Sequence, residues 1–128
     1  MNGAALELTL IEGRFAVCRL APDAASPAWA AQGFSSITRT AGELSVVCAE
    51  DAVPPGVQRE PGWRILQVAG PLDFGLTGIL LSIARPLAEA GVSIFAISTF
   101  DTDCVMVRES TVEKAIRALE AAGHRVTR

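Results

Sequence analysis

The sequence predicts an α+β fold of two tandem ferredoxin-like (βαββαβ) units, each an antiparallel sheet with helices on one face, the first unit being degenerate. Two observations predict it: the order of apolar patterns in the second half, and the segment Val53–Gly62 that precedes them. This segment has three prolines and two glycines in ten residues, a composition that is unfavourable inside a helix or a central strand. We therefore expect an N-terminal unit over residues 1–60 and a C-terminal unit over residues 61–128.

The C-terminal half contains the complete order of elements. Apolar runs predict strands, apolar residues at helical spacing predict the first helix, and Gly91 and Gly123 lie where helix C-caps are expected. Ser110 and Glu113 have the spacing of a capping box for the last helix. The expected elements are strand Trp63–Ala69, helix Leu76–Ala90, strands Val92–Ser98 and Cys104–Val107 around a turn at Phe100–Asp103, the last helix, and strand His124–Thr127.

The N-terminal half follows the same order less completely. Its apolar segments are separated by turn signals at Glu12-Gly13 and Ala41-Gly42, and the helix that should close the unit is truncated or missing. The expected elements are strands Leu6–Ile11 and Arg14–Leu20, a short helix Pro27–Ala31 opened by Ser26, and strands Phe34–Thr40 and Glu43–Ala49.

Composition excludes several classes of protein. The 128 residues carry a net charge of −3 and have no run of lysine or arginine, so we expect no nucleic-acid partner. No apolar run reaches the roughly 18 residues that cross a bilayer, so we expect no membrane span. The N-terminus lacks the basic region of a secretory signal, which favours a cytoplasmic protein.

The nucleophilic and metal-binding side chains do not form a recognisable catalytic set. Three cysteines, Cys18, Cys48 and Cys104, lie far apart in apolar strands, which predicts reduced core residues more than a disulfide or a metal site. His124 is the lone histidine and has no neighbouring acid or nucleophile in the sequence, so we expect it on the surface at a strand start. The sequence therefore predicts a protein that is not an enzyme, with no catalytic residue, metal or cofactor.

Three polar segments are candidates for binding. Residues 70–78 join a strand to a helix with glycines that let backbone amides approach an anion, although Asp73 or Thr77 also suits a plain N-cap. Residues 98–103 are dense in hydroxyls and carboxylates, and Asp73 with Asp103 would suit an ammonium or guanidinium group, although a polar hairpin turn has the same composition. Within one antiparallel unit the two segments need not be neighbours. Phe34–Thr40 carries alternating hydroxyls, typical of an exposed face or a polar lining.

The segment Leu87–Ile94, followed by Ile97-Ser98-Thr99, resembles the core of ACT domains, which are ligand-binding regulatory modules of amino-acid metabolism. With Gly75–Gly78 and Thr99–Asp103, it is similar to the branch of small bacterial stand-alone tandem-ACT proteins and animal cytosolic arginine sensors. The resemblance implies that an amino acid binds at an interface between ACT units. The ligand-binding residues it implies are Ser36, Ile37, Asp73, Gly75, Thr99, Phe100 and Asp103.

The polar segments and the resemblance to ACT domains together imply a small-molecule-binding regulatory protein whose partner is a small amino acid. The sensors of this branch carry four ACT units, so a homodimer of this chain would match their size. Edge strands for such pairing are expected at Cys104–Val107 and Glu43–Cys48. The alternative is a protein–protein interaction or dimerisation module with a vestigial pocket, acting on an unidentified protein partner.

Overall fold

The computed structural model describes residues 5–72 and 78–128, and the chain has the predicted α+β fold. Three short 3-10 helices accompany the strands and helices, at Ala28–Ala30, Glu50–Ala52 and Glu109–Thr111. The strands and helices are β1 (Glu7–Leu20), β2 (Ser36–Arg39), β3 (Leu44–Ala49), β4 (Gln58–Val68), α1 (Ile79–Glu89), β5 (Phe95–Ser98), β6 (Asp103–Arg108), α2 (Val112–Ala121) and β7 (Arg125–Thr127). Neither of these helices is long and apolar enough to span a membrane.

The chain divides into two compact units. The N-terminal unit is Gly13–Trp63, and the C-terminal unit combines Met1–Glu12 with Arg64–Arg128. Strands β1 and β4 therefore contribute residues to both units. The start of β1, which sequence patterns grouped with the first half, belongs to the compact unit of the second half.

The C-terminal unit contains the predicted βαββαβ order as β4-α1-β5-β6-α2-β7. Its strands are arranged in the order β7-β1-β4-β6-β5, with β5 and β6 antiparallel. The first residues of β1 lie between β4 and β7, and Glu7 to Thr9 pair in parallel with Arg125 to Thr127. The pair that β1 forms with β7 is thus parallel, and β1 enters this sheet from outside the βαββαβ segment.

Both helices pack on the same core through their apolar faces. The helix α1 buries Ile83 and Leu87, and α2 buries Ala115 and Leu119 among others. Burying one such aliphatic side chain contributes about 1.5–3 kcal/mol. The buried core residues are Leu6, Leu8, Leu66, Val68, Ile83, Leu87, Val92, Val105, Val107, Val112, Ala115, Ile116 and Leu119.

The two predicted glycine C-caps are confirmed. Gly91 has φ +77° and donates its N–H to Ala88 at 3.0 Å, while Val92 donates to Leu87 at 2.9 Å. This pair of bonds is the Schellman motif, and the buried Val92 and Leu87 share the core. Gly123 repeats the motif at the end of α2 with φ +99°.

The predicted capping box at the start of α2 is wrong. The helix begins at Val112, and Ser110 lies in the preceding 3-10 turn. Thr111 occupies the N-cap position, but its hydroxyl donates back to the Arg108 carbonyl at 3.1 Å and makes no capping bond. The tighter turn therefore replaces the side-chain cap. The helix α1 begins at Ile79, and the predicted start at Leu76 lies outside the described residues.

The N-terminal unit has the strand order β2-β3-β1, and both pairs are antiparallel. A single 3-10 turn, Glu50–Ala52, stands where the second helix was expected to be truncated or missing. A separate small core lies in this unit. Its buried residues are Ala16, Cys18, Ala30, Leu44, Val46, Cys48 and Val53.

Two predicted breaks in the strands are wrong. The strand β1 continues through Glu12 and Gly13, whose φ of +102° marks a local irregularity in the strand and not a reversal. The strand β4 begins at Gln58 and includes Pro61 and Gly62. Gly62 has φ +82° and donates its N–H to the Glu50 carboxylate at 2.8 Å, so this N–H is satisfied by a side chain and not by a neighbouring strand.

The predicted edge strands are interior. Cys104–Val107 lies in β6, between β4 and β5, and Glu43–Cys48 lies in or next to β3, between β1 and β2. The strands at the ends of this order are β5 and β2. Strands that are apolar on both faces, as β6 is, are typical of interior positions, whereas the burial of β5 alternates.

Candidate functional site

The loop after β4 lies against the turn between β5 and β6, within the C-terminal unit. The Leu72 N–H donates to the Asp101 carbonyl at 2.6 Å, and the buried Thr102 hydroxyl donates to the Val68 carbonyl at 2.6 Å. We call this the loop–turn contact, formed by residues 68–72 and 99–102. It brings the described start of one predicted binding segment beside the other segment in one unit, which strand order alone did not require.

Gly70 permits the loop–turn contact because no side chain fits at this position. A Cβ on residue 70 would lie 2.8 Å from the Asp101 carbonyl oxygen and 3.1 Å from the Thr102 Cβ. Contacts under 3 Å to a backbone atom require one of the two segments to move. The close approach of the two backbones therefore depends on glycine.

The polar groups of the turn between β5 and β6 form hydrogen bonds with one another. The Thr99 N–H donates to the Thr102 carbonyl at 2.8 Å, and the Thr102 N–H donates to the Thr99 hydroxyl at 3.2 Å. The Ser98 hydroxyl donates to Asp103 Oδ1 at 2.7 Å. Phe100, at the tip, is 81% exposed. The turn is therefore ordered by its own polar side chains, and it presents a carboxylate and an aromatic ring.

The predicted residues of the first half lie in the N-terminal unit. Ser36 and Ile37 begin β2, opposite Val47 and Val46 of β3. Ser36 is half-buried and Ile37 is 42% exposed, while Arg39 on the same strand is exposed. The strand thus offers one exposed aliphatic side chain in a polar surface. Asp73 and Gly75 lie outside the described residues.

An open cleft of about 300 Å³ lies beside the loop–turn contact in the C-terminal unit. None of its lining residues is among the predicted ligand-binding residues. Four of the lining residues belong to the two polar loop segments that the sequence predicted as binding segments: 70, 71, 101 and 102. Nothing in the sequence indicated Thr9 and Gln67, because they reach the cleft only through the packing of their strands. The lining residues are Thr9, Gln67, Val68, Ala69, Gly70, Pro71, Asp101 and Thr102.

His124 is buried, and the prediction of a surface position is wrong. Its Nδ1 accepts the Leu6 N–H at 3.1 Å, and its Nε2 lies 2.9 Å from the Ser82 carbonyl oxygen. Because Nδ1 accepts, the neutral ring donates from Nε2. Pro86, four residues after Ser82 in α1, has no N–H to give that carbonyl, so the histidine supplies the missing donor.

The cysteines are buried free thiols, as expected. Burial raises the pKa of Cys18 and of Cys104 to about 11, with the nearby Asp103 carboxylate adding to the shift at Cys104. Burial also raises the pKa of Cys48. Thiols of this kind stay protonated near neutral pH and are poor nucleophiles and ligands. In residues 5–72 and 78–128, no three His, Cys, Asp or Glu side chains are grouped to hold a metal ion.

Comparison with known proteins assigns the family. A model of the ACT domain matches residues 58–121, which is half of the chain. The chain belongs to the ACT-domain family. A second family model, for an N-terminal domain, matches residues 13–56 and so falls within the N-terminal unit. The resemblance to ACT domains inferred from Leu87–Ile94 is therefore confirmed.

Similar proteins include a solved structure that the chain matches over nearly its full length. A crystal structure of a protein from Agobacterium tumefaciens is 42% identical, with a TM-score of 0.91, and the match covers 97% of this chain and 93% of that one. The human "Cytosolic arginine sensor for mTORC1 subunit 1" is 41% identical over 59 residues, 45% of this chain. That match spans 18% of the sensor's length.

The aspartate kinase relatives share the fold. The ligand-free regulatory subunit of aspartate kinase from Thermus thermophilus is 15% identical with a TM-score of 0.64, and the match covers 94% of this chain and 99% of that one. At this identity the similarity supports the ACT fold alone. The predicted fold of ACT units is thereby confirmed.

Proposed function

We propose that this protein is a non-catalytic regulatory protein that binds a small amino acid between its ACT units. The family assignment supports a regulatory role, and one relative is by name an arginine sensor. The proposed ligand-binding residues remain Ser36, Ile37, Asp73, Gly75, Thr99, Phe100 and Asp103.

The loop–turn contact is the observation that carries this proposal. Its hydrogen bonds hold residues 99–102 beside residues 68–72, which precede residue 73 in the chain. Two of the three proposed binding segments are therefore anchored at the same place in the C-terminal unit. Asp103 is half-buried, and one carboxylate oxygen accepts the Ser98 hydroxyl. Its other oxygen makes no hydrogen bond within the part of the chain that the structure describes. That oxygen suits the ammonium or guanidinium group of an amino acid.

Binding at such a site would regulate the protein because the ligand has a higher affinity for one arrangement of the ACT units than for another. A ligand that contacts both ACT units favours the arrangement in which its contacts are all made, and it shifts the population toward that arrangement. The same coupling would change the affinity for a second chain or a partner protein. We propose that the protein acts in the cytoplasm as a homodimer, the assembly that would match the sensors in number of ACT units.

A thermal-shift screen against the twenty amino acids and simple polyamines tests the proposal. A ligand at about 100 times its Kd adds roughly 2.7 kcal/mol to the free energy of unfolding, which is readily visible as a raised Tm. We expect the Asp103→Asn variant to lose the shift, because the amide keeps the Ser98 contact but not the charge. Asp51→Asn, on an exposed carboxylate of the N-terminal unit, is the matched control. Unchanged binding by Asp103→Asn would exclude this site.

An interaction module is the second candidate, and the exposed apolar side chains favour it. Phe100, Leu81 and Ile37 are 81%, 55% and 42% exposed. A screen with no shift, together with concentration-dependent association in light scattering that Phe100→Ser weakens, would select this candidate instead.

A further inference from the structure

We propose that the cleft beside the loop–turn contact is a second binding site, for a small amine that carries no carboxylate group. The cleft lies wholly within the C-terminal unit and shares no residue with the proposed amino-acid site. The inference therefore goes beyond the proposed function and does not depend on it.

The cleft contains three polar side chains with unused hydrogen-bonding capacity. The Asp101 carboxylate makes no ion pair or hydrogen bond within the described residues. The half-buried Gln67 carboxamide and the Thr9 hydroxyl also have no partner there. A carboxylate accepts, a carboxamide accepts and donates, and a hydroxyl does both. Together they match a ligand that has several N–H donors.

The charge of the lining selects an amine over an amino acid. Asp101 is the charged residue among the eight lining residues, and none of the eight is Lys, Arg or His. On the strand next to β1, the Arg125 guanidinium is 3.8 Å from the Glu7 carboxylate and is thus already paired. A ligand carboxylate in the cleft would face a like charge without a counter-charge, whereas an ammonium or guanidinium group would be attracted.

The apolar part of the lining fits a short methylene chain. Ala69 and Pro71 line the cleft and are exposed, so a ligand that covers them removes apolar surface from water. A small alkyl amine or alkyl guanidine fits this lining, because its cationic group can lie at Asp101 while its methylenes lie against Pro71. This chemistry differs from that of a zwitterionic amino acid by the absence of the carboxylate.

The walls of the cleft are held before any ligand arrives. Val68 and Thr102 are joined by a buried hydrogen bond, and the Asp101 backbone is held by the Leu72 N–H. The two walls are close at Gly70, where even an added Cβ would lie 2.8 Å from the Asp101 carbonyl oxygen. A preorganised cleft loses little conformational entropy on binding, which favours a small ligand that makes few contacts.

Agmatine and arginine form the decisive pair of probes, because they differ by one carboxylate. We would titrate each into ¹⁵N-labelled full-length protein and follow amide shifts. We expect agmatine to shift the Gln67 side-chain NH₂ and the backbone amide of Thr9, saturably, and arginine to leave these two signals in place, since both residues lie on the strand side of the cleft and not on the turn of the amino-acid site. In Asp101→Asn we expect the agmatine Kd to rise about three- to tenfold, and in the control Asp51→Asn to stay unchanged.

Three outcomes would overturn the proposal. They are no shift at these amides up to about 10 mM agmatine, an agmatine Kd unaltered by Asp101→Asn, and binding of arginine in the cleft as tight as that of agmatine. The amino-acid site is tested separately, since its binding should respond to Asp103→Asn and not to Asp101→Asn. Each proposal can therefore fail while the other stands.

Discussion

Replacing His124 by phenylalanine tests whether this buried side chain holds the C-terminal unit together. The ring joins Leu6, the residue before β1, to Ser82 in α1. Phenylalanine has a similar size but neither a donor nor an acceptor. The substitution would leave the buried Leu6 N–H and the partly buried Ser82 carbonyl without these partners.

The expected cost follows from these two groups. A buried polar group left without a partner costs about 1–3 kcal/mol, so we expect a loss of about 3 kcal/mol in the free energy of unfolding. For a chain of this length, each kcal/mol corresponds to a Tm change of roughly 3–5 °C, and the expected fall is about 10–15 °C. Urea unfolding monitored by circular dichroism measures the free energy directly.

A double-mutant cycle with Pro86→Ala assigns the Ser82 half of this cost. Alanine at position 86 supplies the N–H that the helix lacks at Ser82, so the carbonyl no longer depends on the histidine. We therefore expect His124→Phe to cost about 1 kcal/mol less in the Pro86→Ala background than in the wild type. His124→Asn, which keeps an acceptor for Leu6, should fall between wild type and phenylalanine.

Two results would refute this reasoning. The first is additivity of the two substitutions within about 0.5 kcal/mol, which would show that the Ser82 carbonyl does not depend on His124. The second is a cost below about 1 kcal/mol for His124→Phe alone, because at least one buried group would then be satisfied in another way.

Two further predictions concern the loop–turn contact and the thiols. Gly70→Ala should lower the free energy of unfolding by about 2 kcal/mol in urea titrations, because its Cβ would meet the Asp101 carbonyl at 2.8 Å and strain two hydrogen bonds. Gly42→Ala, whose Cβ would meet only Thr40 at 4.0 Å, should be neutral or slightly stabilising, and equal effects would contradict the steric argument. The pKa of the Cys18 and Cys104 thiols is about 11 in the folded protein against an ordinary 9.0, so the unfolded state loses these protons first and stability should fall as pH rises from about 9 to about 11. The chain has no tyrosine and only Lys114 as lysine, so a stability curve that is flat over this range, or unchanged in Cys104→Ala, would refute the assignment.

The sequence was sufficient for much of the C-terminal unit. The βαββαβ order follows from apolar periodicity, and both C-caps follow from Gly91 and Gly123, because a left-handed residue after a helix is a local requirement that glycine meets. The same local reasoning failed at Gly13 and at Pro61-Gly62. A glycine with positive φ serves a turn or a strand irregularity equally well, and only the neighbouring strands decide between them.

The sequence by itself thus determined the α+β class, the order of elements in the C-terminal unit, the C-terminal ends of both helices and the family. Tertiary structure decided which strands are neighbours, the burial of His124 and the position of the cleft. Leu6 and His124 are 118 residues apart, and Thr102 and Val68 are 34 apart. Such pairs carry no signal in local periodicity, since they depend on the entry of β1 into the C-terminal sheet and on a backbone approach that Gly70 allows.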